Sequence, residues 1–466
     1  MAVRIEKDSL GIKEVPETVY WGIQTQRAIE NFPISKLRAH PKFVDAFVIV
    51  KKAAALTNKE LGLLKDEVAD AIIGASDEVL AGKLRDQFIV DIFQMGAGTS
   101  FNMNVNEVLA NRAIELLGGK RGDYIQCNPN DHVNMAQSTN DVFPTSMRIC
   151  IRLLLNDLFP ALRELEESLA QKAKEFDSIL KSSRTHLQDA VPIRLGQEFA
   201  AYGVAVRKAR EHIEEAAKLI EELGIGGSAA GTGLNTHPEY RFKVVEHLKK
   251  WTQVDFRCAP DLCEAMQSNF PVASVAAALK LLALELTRIA NDFRLLCSGP
   301  LTGFAEIRLP AVQLGSSIMP GKINPSMAEM LNMVCFQVIG NELAVSMAVQ
   351  AGQLELNVMM PVMAFNLNFS IEILTNAVRE FTHRCVNGIE ADTERCQHYA
   401  EISPSLATAL NSYIGYARAA EVVKKALKER KSIPQVVREE HLLTEEQIQK
   451  ILDPKSLTSS QEFQGK

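Results

Sequence analysis

The sequence predicts a mostly α-helical protein, and its composition and its hydrophobic spacing both lead to this expectation. Of the 466 residues, 47% are hydrophobic but only 6% are aromatic. This balance suits packed helices better than aromatic-rich β-sandwiches. Apolar residues also recur at steps of three and four over long segments, which is the spacing of one helical face. A chain of this length is expected to form two or three domains.

Five long segments with this spacing lie in the middle of the chain. The first runs from Leu158 to Leu180, and the second, from Phe199 to Leu223, alternates steps of three and four like the a/d seam of a coiled coil. The others span residues 272–296, 327–349 and 365–389. We therefore predict a central bundle of long helices. Such helices present more apolar surface than one chain can bury, so we expect the chain to self-associate.

The predicted bundle divides the chain into three domains. Residues 1–140 mix shorter helical patterns with turns, residues 141–394 contain the bundle, and residues 395–466 contain further helical patterns that indicate a small C-terminal domain.

Charge, hydropathy and cysteine usage argue against several classes of protein. The net charge is −6 and the basic residues are scattered, which does not suit a binder of nucleic acid or of an anionic membrane. The most apolar stretch, from Val272 to Leu286, is shorter than the ~20 residues a bilayer requires, so it predicts a buried helix. The N-terminus has no apolar signal core, and the eight cysteines show no zinc-like spacing. We expect a cytoplasmic protein without a metal centre.

Four polar loops rich in hydroxyl and amide side chains are candidate sites. They are GAGTSFNMN at 96–104, QSTND at 137–141, SSRTHLQDA at 182–190 and GSSIMPGKINP at 315–325. Any one such loop is more often a helix N-cap than a site, but four in one chain favour a binding site. The third loop also contains His186, the one histidine within a polar motif, which favours a functional role over core packing.

The loop at 315–325, called the signature loop below, offers groups that suit a carboxylate. It contains the adjacent hydroxyls of Ser316 and Ser317, the cation of Lys322 and the amide of Asn324. The same groups could stabilise charge that develops on that carboxylate during a reaction.

Two glycine-rich segments do not fit nucleotide binding. Five residues separate Gly315 from Gly321, and Ile323 stands where a phosphate-binding loop needs Ser or Thr. The segment GIGGSAAGTG at 224–233 follows a predicted helix rather than a strand, unlike a dinucleotide-binding fingerprint.

Together the motifs resemble the aspartase/fumarase superfamily, whose signature G-S-S-x-M-x-x-K-x-N is present as GSSIMPGKIN. The similarity extends through RTHLQDA, GTGLNTHPEY, NMNVNEVLANRA and NPNDHVNMAQSTND and covers nearly the whole chain. GAGTS and QSTND are similar to the aspartase branch, whereas class II fumarases have G-S-G-T-Q and Q-S-S-N-D.

The resemblance implies a mostly α, three-domain fold whose central bundle tetramerises into a multi-helix core. It implies a cofactor-free carbon–nitrogen lyase that eliminates ammonia from L-aspartate to give fumarate. Each of four identical sites would be shared between three subunits of a homotetramer, with no nucleic-acid or membrane partner. The alternative is fumarate hydratase, which would use the same loops with water in place of ammonia.

The resemblance also implies a role for each polar residue in the loops. The donors to the β-carboxylate would be Thr99, Ser138, Thr139 and Ser317. The donors to the α-carboxylate would be Thr185, Lys322 and Asn324. The residues near the amino group would be Asn140 and His186.

Ser316 corresponds to the general base of the superfamily, although the residues alone leave the choice between Ser316 and Ser317 open. Because a serine is a weak base, Lys322 and the loop amides would have to stabilise its alkoxide. His186 would complete the catalytic set, and Glu329 resembles the acid that pairs with that histidine position in fumarases.

Three departures from the superfamily affect packing or subunit contacts rather than the site positions. Leu301 stands where the family usually has Arg, Met360 where aspartases usually have Glu, and the segment Met266–Pro271 resembles neither branch.

Overall fold

The computed structural model describes residues 2–459, and 63% of the chain is helical. The prediction of a mostly α protein is confirmed. The α-helices are α1 (Ile23–Asn31), α2 (Pro41–Glu60), α3 (Asp66–Leu80), α4 (Thr99–Leu116), α5 (Thr139–Glu175), α6 (Leu195–Leu219), α7 (Tyr240–Thr252), α8 (Leu262–Gln267), α9 (Phe270–Leu296), α10 (Ser326–Gln350), α11 (Met360–Arg384), α12 (Thr393–Ile402), α13 (Asn411–Ile414), α14 (Tyr416–Glu429), α15 (Ile433–Glu439), α16 (Glu445–Ile451) and α17 (Pro454–Thr458).

The strands are short and form two-stranded sheets. They are β1 (Val3–Asp8), β2 (Gly11–Pro16), β3 (Leu180–Thr185), β4 (Gln188–Arg194), β5 (Glu222–Leu223), β6 (Arg257–Cys258), β7 (Ile307–Arg308) and β8 (Glu390–Ala391). Strands β1–β2, β3–β4 and β7–β8 pair antiparallel, and β5–β6 pair parallel. Short 3₁₀ or π turns lie at Arg85–Gln87, Gly96–Gly98, Pro129–Val133, Val386–Gly388 and Pro404–Leu410.

The five predicted long helices are α5, α6, α9, α10 and α11. Helices α9 and α10 match the predicted bounds within two residues, whereas α5 begins at Thr139 rather than at Leu158. Residues 141–151 are all buried, so this part of α5 shows no alternation of apolar and polar faces for a sequence pattern to detect.

The chain divides into two compact units. The first unit comprises Met1–Phe159, Arg210–Ala283 and Phe336–Thr375, and the second comprises Pro160–Ala209, Leu284–Cys335 and Asn376–Lys466. Every division point falls inside one of the five long helices. The predicted boundaries of three domains, after residues 140 and 394, remain predictions.

The first unit contains an aromatic core beneath the starts of α4 and α5. Phe43 and Phe47 of α2 pack on Phe101 of α4 and Phe143 of α5, with ring centroids 5.1–5.6 Å apart. Three of these pairs are edge-to-face and the Phe43–Phe101 pair is stacked, and each aromatic pair contributes about 0.5–1.5 kcal/mol beyond its buried area. The core therefore fixes the beginnings of two helices that carry candidate site residues.

Helices α9 and α10 are long and apolar enough to span a bilayer, judged by length and composition alone. Of the 18-residue apolar segment in each helix, 44% is buried in α9 and 39% in α10. The prediction that Val272–Leu286 lies in a buried helix is therefore only partly met. Leu281 and Leu284 of α9 and Met333 and Phe336 of α10 are exposed within the single chain. Apolar side chains in such numbers on long helices are typical of surfaces that other subunits cover.

Candidate active site

The signature loop links β7 to α10 and is closed at its two ends. The Gly315 N–H donates to the Lys322 carbonyl at 2.7 Å, and Asn324 Nδ2 donates to the Gly315 carbonyl at 2.7 Å. A Cβ atom on Gly315 would lie 2.5 Å from the Lys322 carbonyl oxygen, so this closure requires glycine. The residues between the two ends are therefore held as one short turn.

Within this turn, the hydroxyl of Ser316 differs from that of Ser317. Ser316 Oγ accepts hydrogen bonds from the N–H groups of Ile318, at 3.2 Å, and Met319, at 2.9 Å. Two backbone donors on one hydroxyl oxygen stabilise the alkoxide relative to the neutral alcohol. Ser316 is half-buried, whereas Ser317 is exposed. The local geometry thus favours Ser316 as the more acidic hydroxyl.

The signature loop and the first turn of α10 contribute one cation, one amide and one carboxyl group. Lys322 is exposed, and within residues 2–459 its ammonium makes no ion pair with a carboxylate. Asn324 is half-buried and uses its amide to close the loop. Glu329 lies in the first turn of α10 and is half-buried.

Thr185 and His186 lie at the tip of the β3–β4 hairpin. Thr185 pairs with Gln188, so His186 and Leu187 form a two-residue turn, with φ angles of 56° and 58°. Two successive positive φ angles are typical of a type I′ hairpin turn, which favours Asn and Gly rather than bulky residues. Both side chains are exposed. The turn therefore presents His186 outward in a conformation that His and Leu seldom adopt.

A buried group of charges anchors the base of this hairpin. Arg184 Nη1 donates to both carboxylate oxygens of Glu306, at 2.9 and 3.0 Å, and Lys181 Nζ lies 3.1 Å from Glu306 and 2.8 Å from Glu198. Glu306 is fully buried. The Arg184 guanidinium also lies 4.1 Å from the ring centroid of Phe304. Removing one member would leave a buried charge unpaired, so the cluster holds the hairpin rigidly.

In the first unit, Thr99 is the first residue of α4 and follows a tight turn. Ala97 and Gly98 both have positive φ, and the Ala97 N–H donates to the Val358 carbonyl at 2.7 Å. A Cβ atom on Gly98 would lie 2.1 Å from the Phe143 ring, so only glycine fits. The aromatic core thereby sets the position of the half-buried Thr99.

Ser138, Thr139 and Asn140 lie at the start of α5, and other polar groups hold each of them. Asn102 Nδ2 donates to Thr139 Oγ1 at 3.0 Å, which leaves the Thr139 O–H free to donate. Ser138 Oγ accepts from the Asn140 N–H at 3.2 Å, and Asn140 Nδ2 donates to the Ala229 carbonyl at 2.9 Å. These contacts orient hydroxyl donors at a helix N-terminus, where anions bind favourably.

Lys51 was not predicted from the sequence, but its side chain holds the segment that leads into Ser138 and α5. Its Nζ donates to Asn134 Oδ1 at 2.9 Å and to Gln137 Oε1 at 3.0 Å. Lys51 is fully buried, and burial lowers its pKa to about 7 despite the opposing effect of Asp141. The sequence does contain a signal, because Lys51 lies four residues after Phe47, on the apolar face of α2.

Asp141 was missed as well, and its role explains the glycine-rich segment at 224–233. The buried carboxylate accepts from the N–H groups of Ser138, at 2.9 Å, and of Gly226 and Ser228, both at 3.0 Å. Burial raises its pKa to about 6. The two-residue strand β5 directly precedes this segment, so the expectation that only a helix precedes it is corrected. The segment binds a carboxylate of the protein itself.

The structure thus brings the predicted residues together in separate groups. The first unit holds Thr99, Ser138, Thr139 and Asn140, and the second unit holds Thr185, His186, Ser316, Ser317, Lys322, Asn324 and Glu329. Between residues 2 and 459, no hydrogen bond joins the hairpin tip to the signature loop. Of the departures from the superfamily, Leu301 is exposed, while Met266 and Met360 are buried.

The long helices agree with the fold expected of the aspartase/fumarase superfamily. A family profile described as Lyase matches residues 11–340, and one described as Fumarase C C-terminus matches residues 406–459. The chain therefore belongs to the aspartase/fumarase superfamily, and it is a carbon–nitrogen lyase.

Named relatives place the chain within this superfamily. An aspartate ammonia-lyase from a Bacillus species is 49% identical over 456 residues, which cover 98% of this chain and 97% of the relative. A fumarate lyase from Brucella melitensis is 46% identical, with a TM-score of 0.94 over 97% of this chain and 99% of that one. A class II fumarase from Schistosoma mansoni has the same TM-score of 0.94 but is 38% identical, over 97% and 98% of the two chains.

Proposed function

We propose that the chain is an aspartate ammonia-lyase that converts L-aspartate reversibly to fumarate and ammonium, with Ser316 as the general base. The observation that carries the proposal is the pair of backbone N–H groups, from Ile318 and Met319, on Ser316 Oγ. A preorganised donor of this kind contributes about 2.7–4 kcal/mol to the stability of an oxyanion. The Lys322 cation on the same loop adds to this stabilisation.

The Ser316 alkoxide removes a proton from C3 of aspartate, and the electron pair of that C–H bond moves onto the β-carboxylate as an aci-carboxylate. The bond between C2 and nitrogen then breaks with its electron pair on nitrogen. The released ammonia takes up a proton from water and the Ser316 hydroxyl returns the C3 proton to water, so fumarate and ammonium are the products and the alkoxide is restored. Because the extra charge accumulates on the β-carboxylate, hydroxyl donors on that group accelerate the reaction most.

Those donors are Thr99, Ser138, Thr139 and Ser317. The free O–H of Thr139 and the position of Thr99 at a helix N-terminus support this assignment. The donors to the α-carboxylate are Thr185, Lys322 and Asn324. Asn140 and His186 lie beside the amino group, and Glu329 supports His186.

We further propose a homotetramer in which three subunits contribute loops to each site. Support comes from the exposed face of α10, where Met333, Phe336, Gly340, Leu343 and Met347 follow one another at alternating steps of three and four residues. This is the a/d spacing of a coiled-coil seam, and the Gly340 position has open space around it. A neighbouring α10 or α9 would bury this face. Light scattering of the purified protein should give four times the mass of one chain.

We also propose that the enzyme acts in the cytoplasm on small dicarboxylates, without a cofactor. All eight cysteines are unpaired, as suits a reducing compartment. The exposed Lys322 cation suits an anionic substrate.

The test is to incubate the purified protein with fumarate and to follow the ultraviolet absorbance of fumarate. We expect absorbance to fall with ammonium present and to stay constant without it. Loss of fumarate without ammonium, together with formation of L-malate, would identify a fumarate hydratase instead. Ser316→Ala provides the matched control, because it removes the base and leaves the other loops intact.

A further inference from the structure

A cavity in the first unit lies outside the residues assigned to the active site. Its volume is about 220 Å³, and its inner wall contains the buried residues Phe43, Phe101, Phe143 and Ala364. Arg38 and Glu372 also line it, and both are exposed, so they mark its opening. An apolar cavity of about 150 Å³ is large enough to hold benzene. This cavity therefore has room for one aromatic ring and a small substituent.

Several polar groups that line the cavity lack a hydrogen-bond partner within the described part of the chain. Asn368 is 2% exposed and lines the cavity, and its buried Oδ1 accepts no hydrogen bond from residues 2–459. A buried amide without a partner is unfavourable unless a ligand or a water completes it. Glu372 Oε1 lies 3.2 Å from His40 Nε2, which makes no hydrogen bond with the described residues, so this contact is an ion pair only when His40 is protonated. The Arg38 guanidinium has neither an ion pair nor a hydrogen bond with any residue that the structure describes.

We propose that this cavity binds a small molecule with a single aromatic ring and one carboxylate. The ring packs among Phe43, Phe101 and Phe143, where offset and edge-to-face contacts are available. The carboxylate meets Arg38 at the opening, since Arg38 is the permanently charged cation of the lining and its guanidinium contacts no carboxylate of the described residues. The buried Asn368 Oδ1 is a hydrogen-bond acceptor, so it suits a ligand that carries a hydroxyl or amino donor on the ring.

The wall of the cavity is also the support of the turn before Thr99. The Phe143 ring fills the space beside Gly98, and the Phe101 N–H donates to Gln94 Oε1 at 2.8 Å, with Gln94 itself lining the cavity. A ligand that fills the cavity stabilises this wall. Exchange of the backbone amides in residues 96–101 should then become slower, which hydrogen-exchange mass spectrometry measures without reference to catalysis.

The test uses 4-fluorobenzoate as the probe and fluorine NMR to follow its binding to the whole protein. We expect saturable binding. Ala364→Phe fills the cavity and should abolish binding, and Ala364→Leu is the smaller replacement if the first variant does not fold. Arg38→Gln changes an exposed residue and should weaken binding by about three- to tenfold. Lys322→Met is the matched control, because it removes a cation from the signature loop and should leave binding unchanged.

Three results would overturn the proposal. The first is an absence of saturation. The second is unchanged affinity in a folded Ala364→Phe or Ala364→Leu protein. The third is binding that Lys322→Met abolishes while Arg38→Gln does not, because the probe would then occupy the signature loop. All three concern binding of an aromatic carboxylate, so they are independent of whether the chain deaminates aspartate.

Discussion

Replacement of Lys51 by Met should separate stability from activity. The folded chain holds this lysine fully buried with a pKa of about 7, against 10.5 for an exposed lysine. That difference corresponds to roughly 4–5 kcal/mol of stability lost near neutral pH, at about 1.36 kcal/mol for each tenfold change in proton affinity. Met fills nearly the same space without this desolvation penalty, although Asn134 and Gln137 lose a hydrogen-bond donor.

Each lost hydrogen bond to a charged group costs about 1.5–3 kcal/mol, so the two effects nearly cancel near neutral pH. We therefore expect Lys51→Met to change the free energy of unfolding little at neutral pH. Activity should nevertheless fall by about 10–100-fold, because the loop that carries Ser138 and Thr139 loses its anchor and small displacements of catalytic groups are costly.

The pH dependence gives the sharpest signature. Between pH about 7 and about 10.5, the unfolded lysine retains a proton that the folded lysine has released. The stability of the wild-type protein should therefore rise with pH across this window relative to that of Lys51→Met. Urea unfolding at several pH values, at one fixed protein concentration, measures this difference.

Lys52→Met is the matched control, because Lys52 is adjacent in sequence but pairs with Asp77 at 2.5 Å and lies over the Trp251 ring at 4.7 Å. It should leave both the activity and the pH dependence nearly unchanged. The reasoning is refuted if Lys51→Met and the wild type show parallel stability curves, or if Lys51→Met retains full activity.

Three further predictions concern the proposed site. Ser316→Ala should lower turnover by about 10²–10⁴, the contribution of a general base, with little change in aspartate binding, and near-normal turnover in steady-state kinetics would exclude Ser316 as the base. Mixing inactive Ser316→Ala and Thr99→Ala proteins under subunit exchange should restore part of the activity, because some hybrid sites draw all their loops from intact regions. If exchange is proven and no activity returns, the sites are not shared between subunits. Asparagine should not be deaminated, and Lys322→Met should lower both kcat and kcat/KM for aspartate, since an unpaired carboxylate in a partly desolvated site costs several kcal/mol; equal rates with aspartate and asparagine would rule out recognition of two carboxylates.

The sequence predicts the regular parts of the fold well, because amphipathic helices display their periodicity. Helices α9 and α10 match their predicted bounds within two residues, although the apolar residues of α10 also extend onto an exposed face. The first part of α5 is buried on all sides, and its buried residues include Asp141, Ser146 and Arg148, so polar and apolar residues do not separate onto two faces and its start cannot be located by spacing. The β3–β4 hairpin is also hard to predict, because its two-residue turn is His186–Leu187 rather than a pair containing Asn or Gly.

The sequence indicates candidate site residues where they cluster along the chain, and their roles remain predictions. The signature loop is one continuous segment, so its hydroxyls, cation and amide are recognisable together, whereas the difference between Ser316 and Ser317 depends on backbone donors that only the folded loop supplies. Asp141 and Lys51 were missed because their roles depend on partners far away in sequence. The donors to Asp141, for example, include Gly226, which lies 85 residues away. Such contacts form only once the long helices have packed, and local patterns do not contain them.

Each of the five long helices is divided between the two units, so the ribosome releases residues of both units in alternation. Each unit is assembled from three separate segments, and the last segment of the first unit ends at Thr375. Neither unit can therefore be completed on the ribosome until most of the polypeptide has been made. Truncation or insertion at a division point would interrupt a helix rather than a linker, so the protein cannot be cut at these points into two independently folding fragments.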